Sequence, residues 1–197
     1  MEKEKRTLKF SEIFGFGAGG MFTYGFQLMI TGYYLLYYMT DIAGFSTVLA
    51  ASLYSTIQII KMVTMLFSGV IIDAINFRSG KYRTWVLVSG IGLGLFFPLS
   101  FFYYPLPQSV YVVVFMIIYT LQTLFYNVGW TAMRAVIGKV AKNKADVVAL
   151  NTSAQSAGTI SSIPYGYIGY PILGIALWAG TKQAYGCASA IYGLTII

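Results

Sequence analysis

The charged residues of this chain are clumped, and the gaps between the clumps decide what it can fold into. Between Arg83 and Arg134 there is no acidic or basic side chain, and between Glu12 and Arg78 there are only Asp41, Lys61 and Asp73. Uncharged apolar runs of about 18 residues or more read as spanning helices, because roughly 20 helical residues cross the hydrocarbon core of a bilayer. Composition agrees. Of the 197 residues, 57% are apolar and 10% are charged, against about 25% charged in an ordinary globular domain. So few charges cannot cover a soluble surface of this size. The expected fold class is an all-α integral membrane protein, with lipid as the apolar solvent.

Breakers and charge clusters divide the chain into a basic leader, residues 1–12, and a transmembrane bundle, residues 13–197. Six spans are expected, at about 16–39, 48–73, 84–103, 109–137, 147–177 and 184–197. Pro105 and Pro107 mark the turn before the fourth span, while Pro164, Gly166 and Pro171 are expected to kink or break the fifth. The sixth run is too short to cross the core. The expectation is therefore an incomplete sixth helix in a longer or truncated protein, with a C-terminal half missing. The leader does not read as a cleavable signal, since the apolar run after it is too long and a second span follows.

The net charge of +7 reads as topology and not as a nucleic-acid surface. With the N-terminus inside, Lys3, Lys5, Arg6, Lys9, Arg78, Lys81, Arg83, Lys139, Lys142 and Lys144 fall on the cytoplasmic side, and Lys182 alone falls outside. That asymmetry predicts a multi-pass protein of the plasma membrane with a cytoplasmic N-terminus. Arg134, a turn or so inside the fourth span, is expected to snorkel to the interface. The single cysteine, Cys187, cannot form an internal disulfide.

The third span, VLVSGIGLGLFFPLSFF, is almost featureless and is expected to tolerate lipid all round. The other long spans carry polar stripes at helical spacing. On the first the stripe is Gly20, Tyr24, Gln27, Thr31, Tyr34. The second has Tyr54, Gln58, Lys61, Met65 and Ser68, with Thr64 beside them. The fourth has Tyr119, Thr123, Tyr126, Trp130, and the fifth Asn151, Gln155, Gly158, Ser162, Tyr165. A stripe has a structural reading, interhelical hydrogen bonding through small and polar residues, and a functional one, the lining of a water-filled cavity. Four stripes together favour the cavity. Lys61 is the strongest single residue, because it sits near the middle of its span. A cation there costs a few kcal/mol, so such residues usually face a cavity. No acidic residue lies at the same depth.

The second span ends in GVIIDAINFRSGKYR. Gly69, Asp73, Arg78, Gly80, Lys81 and Arg83 resemble the signature between the second and third helices of the major facilitator superfamily. More narrowly, FGFGAGG, YYLLYYMTDIAGFS and DAINFRSGKYRTWVL make the whole chain similar to the glycoside–pentoside–hexuronide:cation symporters, the melibiose-permease-like branch. The resemblance implies the N-terminal six-helix bundle of a twelve-helix carrier, with nested three-helix repeats and a binding site between the two bundles. It implies cavity contacts from Tyr24, Gln27, Gln58, Lys61, Tyr126, Trp130, Asn151 and Gln155, with Trp130 as an aromatic sugar platform. Asp73, Arg78 and Arg83 would be gating pairs.

There are departures from that pattern. Where the family places acidic cation ligands, this chain aligns Met21, Lys61 and Met65. Tyr126 aligns with its sugar-binding acid, and Asn151 with an arginine. None of these replacements suits Na⁺. The expected function is therefore transport of a sugar or glycoside by alternating access, active or facilitative, with Na⁺ or H⁺ coupling in doubt. The fixed ammonium of Lys61 would then stand in for the bound ion. Two alternatives stay open: an anionic, hexuronide-like solute paired with Lys61, and a non-transporting membrane partner protein. No enzyme, cofactor or metal site is expected: there is no His, no acid–base pair, and GFGAGG follows no strand, so it reads as helix packing.

Overall fold

The computed structural model describes residues 7–20, 32, 34–77, 80–178 and 182–196. The described residues form helices, turns and connecting loops, in keeping with an all-α membrane protein. We number the helices in chain order: α1 (Phe10–Gly20), α2 (Leu35–Tyr37, widening into a π-helical turn over Tyr38–Ile42), α3 (Thr47–Ala74), α4 (Lys81–Phe101), α5 (Gln108–Val140), α6 (Lys144–Trp178) and α7 (Ala184–Ile196). The first predicted span corresponds to α1 and α2 at its two ends. Among the described residues three helices, α3, α4 and α5, are long and apolar enough to cross a membrane.

Local chemistry explains the boundaries. The Lys9 N–H donates to the Glu12 carboxylate at 2.8 Å, half of a capping box, so α1 starts at Phe10 inside the expected leader. Ser46 caps α3 by accepting from the Leu49 N–H at 3.3 Å. Asn143 caps α6 in the same way, its Oδ1 accepting from the Asp146 N–H at 2.8 Å. Gly80 precedes α4 with φ +104°, a conformation that favours glycine. The expected break of the fifth span does not occur: α6 runs on through Pro164 and Pro171.

The largest core gathers at the end of the bundle formed by α2 and the α4–α5 turn. Leu35, Tyr38, Met39, Phe45, Phe97, Phe101, Phe115 and Tyr119 are buried there, with Tyr185 from α7. Tyr38 meets Phe101 edge-on at 5.2 Å, and Phe45 meets Tyr111 in the same manner at 5.3 Å. From the motif YYLLYYMTDIAGFS, Tyr34, Leu35, Tyr38, Met39 and Phe45 enter this core, while Leu36, Tyr37 and Asp41 are exposed. The buried Tyr38 hydroxyl is bonded inside the core: it donates to the Phe102 carbonyl at 2.8 Å and shares a hydrogen bond with the Tyr111 hydroxyl at 2.6 Å. We call this the aromatic end and the opposite one, with Lys81, Lys139 and Lys144, the basic end.

The third span corrects the expectation of lipid all round. Among the three apolar helices α4 is the most enclosed, packed on α5 and α7. Ser89, Gly92, Leu93, Phe97 and Phe101 are buried, while Leu87, Ile91 and Leu95 are exposed. Small residues make the seam: a Cβ on Gly92 would lie 2.4 Å from the Phe125 ring, and one on Gly129 would lie 2.8 Å from Ser89 Cβ. The sequence looked featureless because this helix buries apolar atoms on both its lipid and its protein faces.

Candidate functional site

Helices α3 and α5 run side by side in the same direction. The Asn127 side-chain amide donates to the Thr64 hydroxyl at 2.7 Å and to the Lys61 carbonyl at 3.0 Å. One turn on, the Ser68 and Thr131 hydroxyls are 2.7 Å apart. The Thr64–Asn127 and Ser68–Thr131 pairs share one sequence offset, 63 residues. The polar stripe of the second span is therefore split. Thr64 and Ser68 bond α3 to α5, as the structural reading has it, while Gln58 and Met65 are exposed and Lys61 is half-buried. Asn127 and Thr131 were absent from the stripe read off the fourth span; their signal was a second polar pair four residues apart, one helical position away.

The other face of α5 is set by three neighbours. Gly129 and Phe125 face α4. Asn127 and Thr131 face α3. Ile137 is buried with Ile13 of α1 and with Ala149 and Leu150 of α6. Trp130 lies seven residues before Ile137, two turns away on the same side. Tyr119, Thr123 and Trp130 are buried, and Tyr126 is half-buried. This stripe thus points into the bundle, not out to lipid. The Arg134 guanidinium lies over the Trp130 ring, 4.5 Å from its centroid. The expected sugar platform already carries a cation on one face, while Arg134 itself is exposed.

On α6, Asn151 is half-buried and bonds to its own helix, Nδ2 to the Val147 carbonyl at 3.0 Å, while Gln155 is exposed. Tyr24, Gln27, Met21 and Arg78 lie outside the described residues. At the basic end Asp73 pairs with Lys81 at 2.6 Å. Arg83, expected as its partner, is exposed on the first turn of α4. Gly69 has open space around it. Lys139 of α5 stands over the Tyr82 ring at 5.2 Å, and Lys81 over the same ring at 5.8 Å.

α1 is held by α6. The Asp146 carboxylate accepts from the N–H groups of Thr7, at 2.9 Å, and Leu8, at 3.3 Å, and from the Thr7 hydroxyl. The Thr7 hydroxyl, followed by these N–H groups, holds the Asp146 carboxyl below the usual carboxylate range. Ser153 donates to the Ile13 carbonyl at 2.8 Å, and a Cβ on Gly17 would meet Ser153 Oγ at 2.2 Å. Of the two glycines of FGFGAGG whose surroundings are described, Gly17 lies against Ser153 of α6 and Gly15 has open space. Asp146 escaped the sequence reading because it looks like one acid in a basic loop. No group of His, Cys, Asp or Glu able to hold a metal occurs among the described residues.

The comparisons with known proteins follow this geometry. The family described as "MFS/sugar transport protein" matches residues 15–197. The chain is 26% identical, over 184 residues, to the "Putative glycoside/cation symporter YagG" of Escherichia coli (strain K12), covering 92% of this chain and 39% of that protein. It is 23% identical, over 182 residues, to the "Isoprimeverose transporter" of Lactiplantibacillus pentosus, covering 92% of this chain and 38% of that protein. The chain thus spans about two fifths of the length of these relatives.

Proposed function

Since the chain belongs to the MFS/sugar transport protein family, we propose that it carries a sugar or glycoside across the membrane by alternating access, as part of a larger carrier. The observation that carries this reading is the inward stripe of α5. Trp130 and Tyr126 stand on the side of the helix that Ile137 presents to α1 and α6, where a solute between bundles would meet them. The share of the relatives lying outside this chain would supply the second bundle and the other wall of the site. The basic end is then cytoplasmic, as the distribution of Lys and Arg predicts, and the membrane is the plasma membrane. Gln58 and Gln155, both exposed on the described surface, and the half-buried Asn151 are the amide contacts we assign to this cavity; the family resemblance adds Tyr24 and Gln27 to them.

Cation coupling is the part of the family's chemistry that these residues support least. Lys61 sits mid-way along α3, where relatives are expected to hold an acidic ligand. We read its ammonium as a permanent replacement for the ion. A second reading, an anionic solute drawn by Lys61, rests on the same residue. In the carrier made from the full open reading frame, radiolabelled glycoside uptake should be saturable and unaffected by removing Na⁺ or adding a proton uncoupler. Lys61→Asp should make uptake ion-dependent. Ion-dependent uptake by the unaltered carrier would sink the replacement idea, and no uptake across a broad sugar panel would sink the glycoside reading.

A further inference from the structure

The basic end carries more positive charge than its acids balance. Among the described residues three carboxylates lie there, and each is engaged. Asp73 pairs with Lys81 at 2.6 Å, Glu12 accepts from the Lys9 N–H at 2.8 Å, and Asp146 accepts from the Thr7 and Leu8 N–H groups. Lys139, in the last turn of α5, and Arg83, in the first turn of α4, pair with no described carboxylate. Lys139 is nonetheless held in place. Its ammonium stands over the Tyr82 ring at 5.2 Å, and the Lys81 ammonium lies 5.8 Å from the same centroid. One half-buried ring thus gathers two cations from two helices. Tyr82 in turn packs on Ile72, Trp85, Val128 and Ala132, where α3, α4 and α5 meet, so the platform is firm. Asp73 balances one of the two cations, and the other is left to an anion from outside.

Depth decides which anion. α4 begins at Lys81 and α5 ends at Val140, so Tyr82 and Lys139 stand at the ends of two spans, level with the headgroup layer. Lysine and tyrosine suit that level, each with an apolar body and a polar tip. Deeper on α4, Leu87, Ile91 and Leu95 follow Arg83 at four-residue steps, and all four are exposed. A dissolved anion would use the cations alone. A molecule with an anionic head and long apolar chains would use the cations and this strip together.

We propose that the basic end around Tyr82 binds an anionic phospholipid. Its phosphate sits on Lys139 and Lys81 at the Tyr82 ring, with Arg83 beside it, and an acyl chain lies along Leu87, Ile91 and Leu95. The site is separate from the inward stripe of α5, since Lys139 lies nine residues beyond Trp130, more than two turns nearer the headgroups. The proposal goes beyond the carrier reading and needs only that the bundle lies in a bilayer. A lipid held there joins the start of α4 to the end of α5.

The test uses the protein from the full open reading frame, purified in detergent, with two probes that share their acyl chains and differ in headgroup charge. Dioleoylphosphatidylglycerol is anionic and dioleoylphosphatidylcholine is zwitterionic. Lipid retained from equimolar mixtures is counted by native mass spectrometry. The wild type should prefer the anionic lipid by about tenfold. Lys139→Gln should lower that preference by about fivefold, the factor that one basic residue contributes near an anionic surface. Tyr82→Leu, which removes the platform, should lower it as well. Lys139→Arg should keep it, which separates a lost site from a lost fold. Lys182→Gln, which removes the same charge at the aromatic end, should leave it unchanged. Equal retention of the two lipids by the wild type overturns the proposal. So does a preference that survives Lys139→Gln, or one that falls equally in Lys139→Gln and Lys182→Gln, since net charge would then be the cause. Displacement of the anionic lipid by inorganic phosphate would make this a site for a dissolved anion and overturn the lipid assignment.

Discussion

The Asn127 amide donates to the main-chain carbonyl of Lys61 at 3.0 Å, so the one cation in the middle of α3 is tied through its backbone to α5. Asn127 is buried, and its second N–H goes to Thr64 at 2.7 Å. Replacing it with Leu removes both bonds at similar volume. Side-chain hydrogen bonds between spans are worth about 0.6 kcal/mol each, up to about 1.7. Asn127→Leu should therefore destabilise the bundle by about 1–3 kcal/mol, read as a lower thermal midpoint in detergent. An unchanged midpoint would mean that the seam is held by apolar packing alone.

Tyr38 and Tyr111 act as a unit at the aromatic end. Their hydroxyls are 2.6 Å apart and both lie near the Phe102 carbonyl. Tyr38→Phe and Tyr111→Phe should each cost about 1–2 kcal/mol, since each strands a buried polar partner. The double replacement should cost clearly less than the sum, because it removes both stranded groups together. Additive losses in a double-mutant cycle would count against a shared network.

Gly17 and Ser153 cannot both grow. A Cβ at Gly17 would lie 2.2 Å from Ser153 Oγ and 3.2 Å from the Ser153 carbonyl. Gly17→Ala should loosen α1 from α6, and adding Ser153→Ala should restore only part of the loss, because the backbone clash remains. The readout is the rate of disulfide formation between cysteines introduced at Ile13 and Leu150, which share one buried cluster. The rate should drop several-fold in Gly17→Ala. An unchanged rate would show that the helices separate slightly at no cost.

Asp146 gives a pH dependence of definite sign. Its carboxyl titrates lower in the folded protein than in an unfolded chain, first through the Thr7 hydroxyl and then through the Thr7 and Leu8 N–H groups. Its stabilising contribution is thus present above the ordinary carboxylate range and is lost as pH falls through the lowered folded value. Protease cleavage of the leader, compared between wild type and Asp146→Asn, should differ at neutral pH and converge at acid pH. A difference that does not shrink on acidification would assign the effect to packing.

The Asp73–Lys81 pair should matter little for stability. The Asp73 side chain is 74% exposed, and exposed pairs are worth at most about 1 kcal/mol and fade in salt. Asp73→Asn should leave the thermal midpoint within a few degrees, and high salt should erase the remaining difference. A large, salt-insensitive loss would show that Asp73 holds more than Lys81.

Much of this was legible in the sequence, for a physical reason. Lipid demands long uncharged helices, so the gap from Arg83 to Arg134 places α4 and α5 directly. The polar stripes were legible as stripes but not as roles. Thr64 and Gln58 look alike on a helical wheel, yet one is bonded to Asn127 and the other is exposed. Which hydroxyl finds a partner depends on the neighbouring helix, and a single sequence does not say which helix that is. Tyr34 was expected on the polar stripe of the first span, but it is buried with Tyr38 in the largest core cluster, next to the π-helical turn. The contact of Arg134 with the Trp130 ring was not legible either, since position along the chain gives depth but not the neighbour that a long side chain finds.

The common offset of 63 residues has a mechanical meaning. One pin between two plates leaves them free to rotate; two pins a turn apart remove rotation and sliding together. Thr64–Asn127 and Ser68–Thr131 are two such pins. To slip by one turn, about 5.4 Å, α3 and α5 would have to break both at once. Any rocking of this bundle must therefore carry the pair as a single plank, with Lys61 and Trp130 at a fixed spacing on it like marks on a ruler.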